Sequence, residues 1–223
     1  SASTEHLLVA NPSQWPNLFP NIPLDNFNES AMKDLMSRSY FVLPKFITYD
    51  HAKTACKEFK HLERESRFER GYKNHILTKE KYMDFSLAQI SKDDFSGIHS
   101  LCSKLSSFPF ELNKKLKYGF QISENYRALC VGEEFDYKGK RDGAEDQSKD
   151  VGVCLTCVIG LEWSKSQGVW VEIDGQKIGI GEGDVLIMKS RIAGEYSIMM
   201  DKGKSFALLF WVHGPFDKRD RLF

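Results

Sequence analysis

From Phe120 onward the chain is a series of short apolar runs separated by turn signals. "YRALCVG", "GVCLTCVIGLEW", "VWVEI", "QKIGI", "DVLIMKS", "YSIMM" and "SFALLFWV" have strand length and strand composition. "DG" at 174–175, "GEGD" and "DKGK" mark reversals between them. Many short strands at this spacing predict a sandwich or barrel. Upstream, the period lengthens. "HAKTACKEFKHLERE" places Ala52, Cys56 and Phe59 at helical spacing, with Asp50 at its start. Ser91 with Asp94 predicts a capping box ahead of a second helix striped by Ile98, Leu101 and Leu105. A strand, "YFVLPKF", precedes the first of these helices, and Ser30 is placed to cap a short helix over 31–38. Prolines and asparagines crowd residues 1–29, which predicts an extended arm whose Trp15, Leu18 and Phe19 dock on the body.

Helices first and strands later make an α+β chain. The expected organisation is the arm over 1–29 and one domain over 30–223. Within that domain, helical support runs over 30–117 and a jelly-roll core, a double-stranded β-helix, over 118–215. Each helix carries one apolar stripe that needs a sheet to cover, so both are expected against the larger sheet.

Composition narrows the function classes. With 223 residues, 41% of them hydrophobic, the chain has ample core to fold alone. Lys+Arg and Asp+Glu balance at 31 each, so no global field draws the protein to nucleic acid or to a membrane surface. "KGKR" at 138–141 is a local basic run, read as a solvated loop. No apolar run approaches the ~20 residues that span a bilayer, and no signal peptide is visible. Cys56, Cys102, Cys130, Cys154 and Cys157 are odd in number and lie in apolar segments. They predict reduced, buried thiols and a cytoplasmic or nuclear setting. Cys154-x-x-Cys157 has the spacing of a metal or redox motif, but on a strand positions i and i+3 face opposite ways, so the sulfurs are expected to diverge.

The segments "YRALC", "CLTCVIGLEW", "DVLIMKS" and "KSFALLFWV", with "YFVLPKFI" ahead of the first helix, resemble the 2-oxoglutarate/Fe(II) oxygenases. They resemble in particular the hypoxia-inducible-factor type of prolyl 4-hydroxylase, over roughly residues 30–215. The resemblance implies a facial triad of two histidines and one carboxylate that holds iron with positions left open. Carried over residue by residue, that chemistry fails. If Tyr137 anchors the alignment, the first histidine maps onto Lys140, an ammonium without a lone pair. The carboxylate maps onto Asp142, which is retained. The distal histidine falls at Glu195 or Tyr196, depending on loop length. The 2-oxoglutarate arginine maps onto Ser205, with Lys204 on the other side of the strand. The tyrosine that meets the same carboxylate maps onto Gly160, and an upstream active-site tyrosine onto Val131. None of the six histidines stands where it would restore the triad.

Three functions follow for testing. The first is a catalytically inactive, oxygenase-like scaffold that binds a protein or peptide and carries no cofactor. Its support is that Cys154, Thr156, Leu161, Trp163 and Trp211 persist while the chemical positions do not. The second is an active 2-oxoglutarate/Fe(II) dioxygenase with atypical ligands, drawn from Asp142, Glu195 and a third donor. The third is a nucleic-acid-binding module that uses "KGKR" beside Tyr137 and "KLKYGF" at 115–120. Zero net charge weighs against the third.

Overall fold

The computed structural model describes residues 40–116, 119–140, 151–161, 169–190 and 195–215. The predicted arm and the 31–38 helix lie outside them. Among the described residues, eleven strands and three α-helices run in the order β1 (Tyr40–Leu43), α1 (Tyr49–Arg64), β2 (Glu69–Lys73), β3 (Ile76–Ser86), α2 (Ser96–Leu105), α3 (Phe108–Leu116) and β4 (Gln121–Gly132). Then follow β5 (Tyr137–Lys140), β6 (Val151–Gly160), β7 (Val169–Ile173), β8 (Gln176–Gly179), β9 (Val185–Lys189), β10 (Glu195–Met200) and β11 (Lys204–Pro215). Pairing is antiparallel throughout the two sheets. A seven-stranded sheet has the order β1-β9-β6-β11-β4-β3-β2, and a four-stranded sheet the order β5-β10-β7-β8. From β4 onward successive strands switch between the two, apart from the β7–β8 hairpin within the smaller sheet, which is the jelly roll expected from the sequence.

The period of two sorts the central strands between two cores. On β11, Phe206, Leu208 and Phe210 face the helices, whereas Ala207 and Leu209 face the space between the sheets. Both faces are buried, which is why "SFALLFWV" shows no polar alternation. The helix-side core is aromatic. Phe59 of α1 stacks on Phe206 at 6.5 Å, and Phe108 of α3 meets Phe210 edge-on at 5.7 Å. The α1 stripe of Ala52, Cys56 and Phe59 and the α2 stripe of Ile98, Leu101 and Leu105 are buried here, as their spacing predicts.

Several local expectations change in the structure. Helix α1 begins at Tyr49, and its cap is Thr48, whose hydroxyl accepts from the His51 amide at 3.3 Å. Ser91 does accept from the Asp94 amide, but α2 itself starts five residues after Ser91. Its cap comes from α1: the Glu58 carboxylate accepts from the amides of Gly97 and Ile98 at 2.8 and 2.7 Å. A Cβ at Gly97 would sit 2.5 Å from that carboxylate, so glycine is needed for the approach. The supposed helical support also contains a hairpin, β2–β3, turned by Asn74 and His75, both at positive φ. Only Gly71, Met83 and Phe85 are buried along it, so its sequence has little of the strand pattern.

Cys154 and Cys157 do not diverge. The β6–β11 register shifts between Val212 and His213, leaving Cys154 as the extra residue on β6. That bulge turns Cys154 to the side of Cys157, and both lie in the helix-side core as free thiols. Burial raises the pKa of Cys157 well above that of an ordinary thiol and lifts Cys130 to about 11. Neither is a thiolate nucleophile at neutral pH.

Candidate functional site: the interior of the jelly roll

The face of the seven-stranded sheet that looks into the jelly roll has two unlike ends. At one end, β4, β11 and β6 bring the three positions implied for 2-oxoglutarate together. Val131 and Ser205 are direct partners across β4 and β11, and Gly160 pairs with Ala207 two residues along on β6. All three positions are buried. Lys204, one residue from Ser205, turns to the helix side and donates to Glu63 of α1 at 3.1 Å, beside Lys81 at 2.6 Å. Burial works against the Glu63 carboxylate, but its two lysines outweigh it and hold the pKa below the ordinary value. Lys204 is therefore engaged on the far side of the sheet.

Around Val131 and Ser205 the interior is filled by Leu129, Val158, Val171, Leu186, Ile198 and Leu209, none of them measurably exposed. A dicarboxylate placed there would lose its hydration and meet no cation among the described residues, a cost of several kcal/mol or more. The chemistry of this end does not fit 2-oxoglutarate.

The metal-ligand positions lie on β5 and β10. Glu195 is the register partner of Lys140, and Tyr196 that of Gly139. The alternation of β10 resolves the two distal candidates. Glu195 is exposed and lines an outer pocket of about 520 Å³ together with Lys73, Lys79, Lys138, Glu80 and Asp136. Tyr196, only 1% exposed, points inward. Its ring lies against Gly139: a Cβ there would come 2.3 Å from Tyr196 Cζ and 2.5 Å from the hydroxyl. Asp142 is outside the described residues. Among the described residues no three His, Cys, Asp or Glu side chains gather into a set that could hold a metal ion. The inward-facing pair Gly139 and Tyr196 supplies neither an imidazole nor a carboxylate.

At the other end the inner face is polar. Arg127, two residues before Leu129 on β4, is the register partner of Asp84 on β3. Its guanidinium grips that carboxylate bidentately, Nε to Oδ1 at 2.6 Å and Nη2 to Oδ2 at 2.9 Å. Nη1 reaches across to the other sheet and donates to the Tyr137 hydroxyl on β5 at 3.0 Å. The Asp84 hydrogen bonds, acting against burial, raise the Arg127 pKa still further, so the charge is permanent. The Tyr82 ring lies under the guanidinium at 4.5 Å, and Tyr137 packs on Tyr196 at 6.1 Å. Further across the same face stand Trp211 and its partner Thr156, whose hydroxyl shares a 2.7 Å hydrogen bond with Ser190. Arg127 was not singled out by the sequence. Its one signal is a charge in the otherwise apolar run "YRALCV".

No family model and no curated sequence matches the chain. Among solved structures, a prolyl hydroxylase from Trichoplax adhaerens, in complex with a hypoxia-inducible-factor oxygen-degradation-domain peptide, superposes with a TM-score of 0.62. It is 15% identical, and the match covers 96% of each chain. A Pseudomonas putida prolyl-4-hydroxylase gives a TM-score of 0.61 at 11% identity, over 82% of this chain and 96% of its own. A non-haem α-ketoglutarate-dependent epimerase of nogalamycin biosynthesis gives 0.58 at 11% identity, over 84% and 82%. With its two antiparallel sheets and helix-backed larger sheet, this chain has the double-stranded β-helix fold of the 2-oxoglutarate/Fe(II) oxygenases.

Proposed function

We propose that this chain is a non-catalytic, oxygenase-like module that binds a protein or peptide at the polar end of its jelly roll. The observation that carries the reading is the interior itself. Where a metal and its cosubstrate would need ligands and a cation, the inward positions hold Gly139, Tyr196, Val131, Ser205 and Gly160, packed with aliphatic side chains. Arg127, the cation on this face among the described residues, is committed to Asp84 and Tyr137. Strands and sheet order persist while the positions for chemistry carry other residues, a pattern suited to a binding surface retained on an old scaffold. The peptide seated on the Trichoplax neighbour supports a peptide partner, and the balanced charge of this chain weighs against nucleic acid. Among the described residues no helix is long and apolar enough to cross a membrane.

The test is turnover. Incubated with Fe(II), 2-oxoglutarate and O₂, the protein should release no succinate above a boiled control. Anaerobic titration with the same two components should give no metal-to-ligand absorption band. Succinate release that disappears in Asp142→Ala would establish the active alternative, a dioxygenase with atypical ligands.

A further inference from the structure

We infer that strand β2, an edge of the seven-stranded sheet, pairs antiparallel with β2 of a second copy of this chain about a two-fold axis at Gly71. Among the described residues β2 has one strand neighbour, β3, and no backbone hydrogen bond of Glu69–Lys73 goes elsewhere. An unpaired edge of this kind is a template for another strand. Its side chains are open to an arriving partner: Glu69, Arg70, Tyr72 and Lys73 are all exposed. Of the four large hydrophobic side chains exposed among the described residues, three stand on this hairpin: Tyr72, Ile76 and Leu77. Exposed apolar surface therefore collects at this edge, a mark of an interaction site.

Charge complementarity selects the partner and the register. Glu69 is opposite Tyr82, which packs into the jelly-roll interior, and Arg70 is opposite Lys81, which reaches Glu63 of α1. Between the pairs Arg70–Lys81 and Tyr72–Leu77 lie one residue of β2 and three of β3, so the irregularity belongs to β3. Strand β2 keeps its alternation, with Glu69, Gly71 and Lys73 on the interior side and Arg70 and Tyr72 on the helix side. A two-fold axis normal to the sheet sets residues of one face opposite each other. Centred on Arg70, it would bring two arginines together; centred on Tyr72, it would leave Glu69 and Arg70 beyond the end of the partner strand. Centred on Gly71, it sets Glu69 opposite the partner's Lys73 and Arg70 opposite the partner's Tyr72, each pair twice. Opposite charges, and a cation against an aromatic ring, stabilise such cross-strand pairs. Charges on an edge strand ordinarily keep copies apart. Here the two-fold turns each one onto its complement. Arg70 is already steadied at the edge, donating to the Thr78 carbonyl at 2.9 Å and lying over Phe135 at 5.1 Å.

A five-residue edge is a small interface, so the dimer is weak. Sedimentation velocity of the full chain should show a concentration-dependent passage from monomer to dimer, half complete on the order of 100 µM. Reversing one charge sets like charges opposite each other at both ends of the pair. Glu69→Lys alone and Lys73→Glu alone should each weaken the dimer by about tenfold or more. Mixed in equal amounts, the two variants should associate to within about threefold of the unaltered chain, because each then meets the opposite sign. Should a reversal prevent folding, salt gives the reading on the unaltered chain: raising NaCl from about 0.05 M to about 1 M should weaken the dimer several-fold. A chain that stays monomeric throughout, a dimer indifferent to either reversal, or a mixture that does not associate overturns the inference. Each of these leaves the proposed function intact, since that reading is tested by turnover.

Discussion

The two ends of the jelly-roll interior share one sheet face and the strands β4, β6 and β11, yet they differ in kind. Around Val131, Ser205 and Gly160 the space is dry, aliphatic and filled. Around Arg127, Asp84 and Trp211 it is polar, opens onto a pocket and contains a shielded donor without a partner among the described residues. The first end has become core. The second has been made neutral without being made apolar, by pairing its cation in place. Filling the interior with side chains stabilises the fold, while the rim stays free to recognise something else.

The strongest way to break this contrast is to empty the filled end. Tyr196→Ala removes a ring that is 1% exposed and packed between Gly139 and Tyr137, and should lower stability by about 3–5 kcal/mol in urea denaturation. A loss below about 1 kcal/mol would show that the ring does not plug the interior. Gly139→Ala forces a methyl into the same ring and should cost about 1–3 kcal/mol. In the Tyr196→Ala background most of that cost should vanish, a coupling that a double-mutant cycle reads directly.

At the polar end the effects are smaller. A double-mutant cycle on Arg127→Gln and Asp84→Asn should give a coupling of about 1 kcal/mol. The bidentate geometry favours a larger value, but the Asp84 side chain is 55% exposed and solvent screens the pair. Weaker still is a pH dependence from two histidines. Burial lowers the pKa of His213, and burial followed by the Lys104 charge lowers that of His51, both from an ordinary 6.5. Below that value the unfolded chain takes up protons that the native state refuses. Stability should therefore be complete above pH 6.5 and decline as pH falls through the window down to the native pKa values. His213→Gln should flatten part of that slope. The smallest change is expected at Glu195→Gln, within about 0.5 kcal/mol, because this side chain faces solvent. A large loss there would return Glu195 to the interior and reopen it as a metal ligand.

What the sequence by itself determined is local and periodic. Apolar runs of strand length, the turn pairs between them and the two helical stripes were enough to predict the jelly roll and the sheet that the helices cover. These features depend on residues within a few positions of one another. The positions to which the family resemblance carries a metal and cosubstrate site could also be named, because they are tied to recognisable strands. Which residue of a pair faces inward was another matter. Glu195 and Tyr196 are adjacent, and only the register of β10 against β5 made the phenol internal and the carboxylate external. The same holds for Cys154, turned by a bulge that its own segment does not announce, and for α2, capped by a glutamate of α1. The β2–β3 hairpin escaped because most of its side chains are exposed and its pattern is polar. Arg127 meets Asp84 from 43 positions away and Tyr137 from the opposite sheet. Cross-strand pairing brought these groups together, and it depends on the closure of the whole fold rather than on the preference of any one segment.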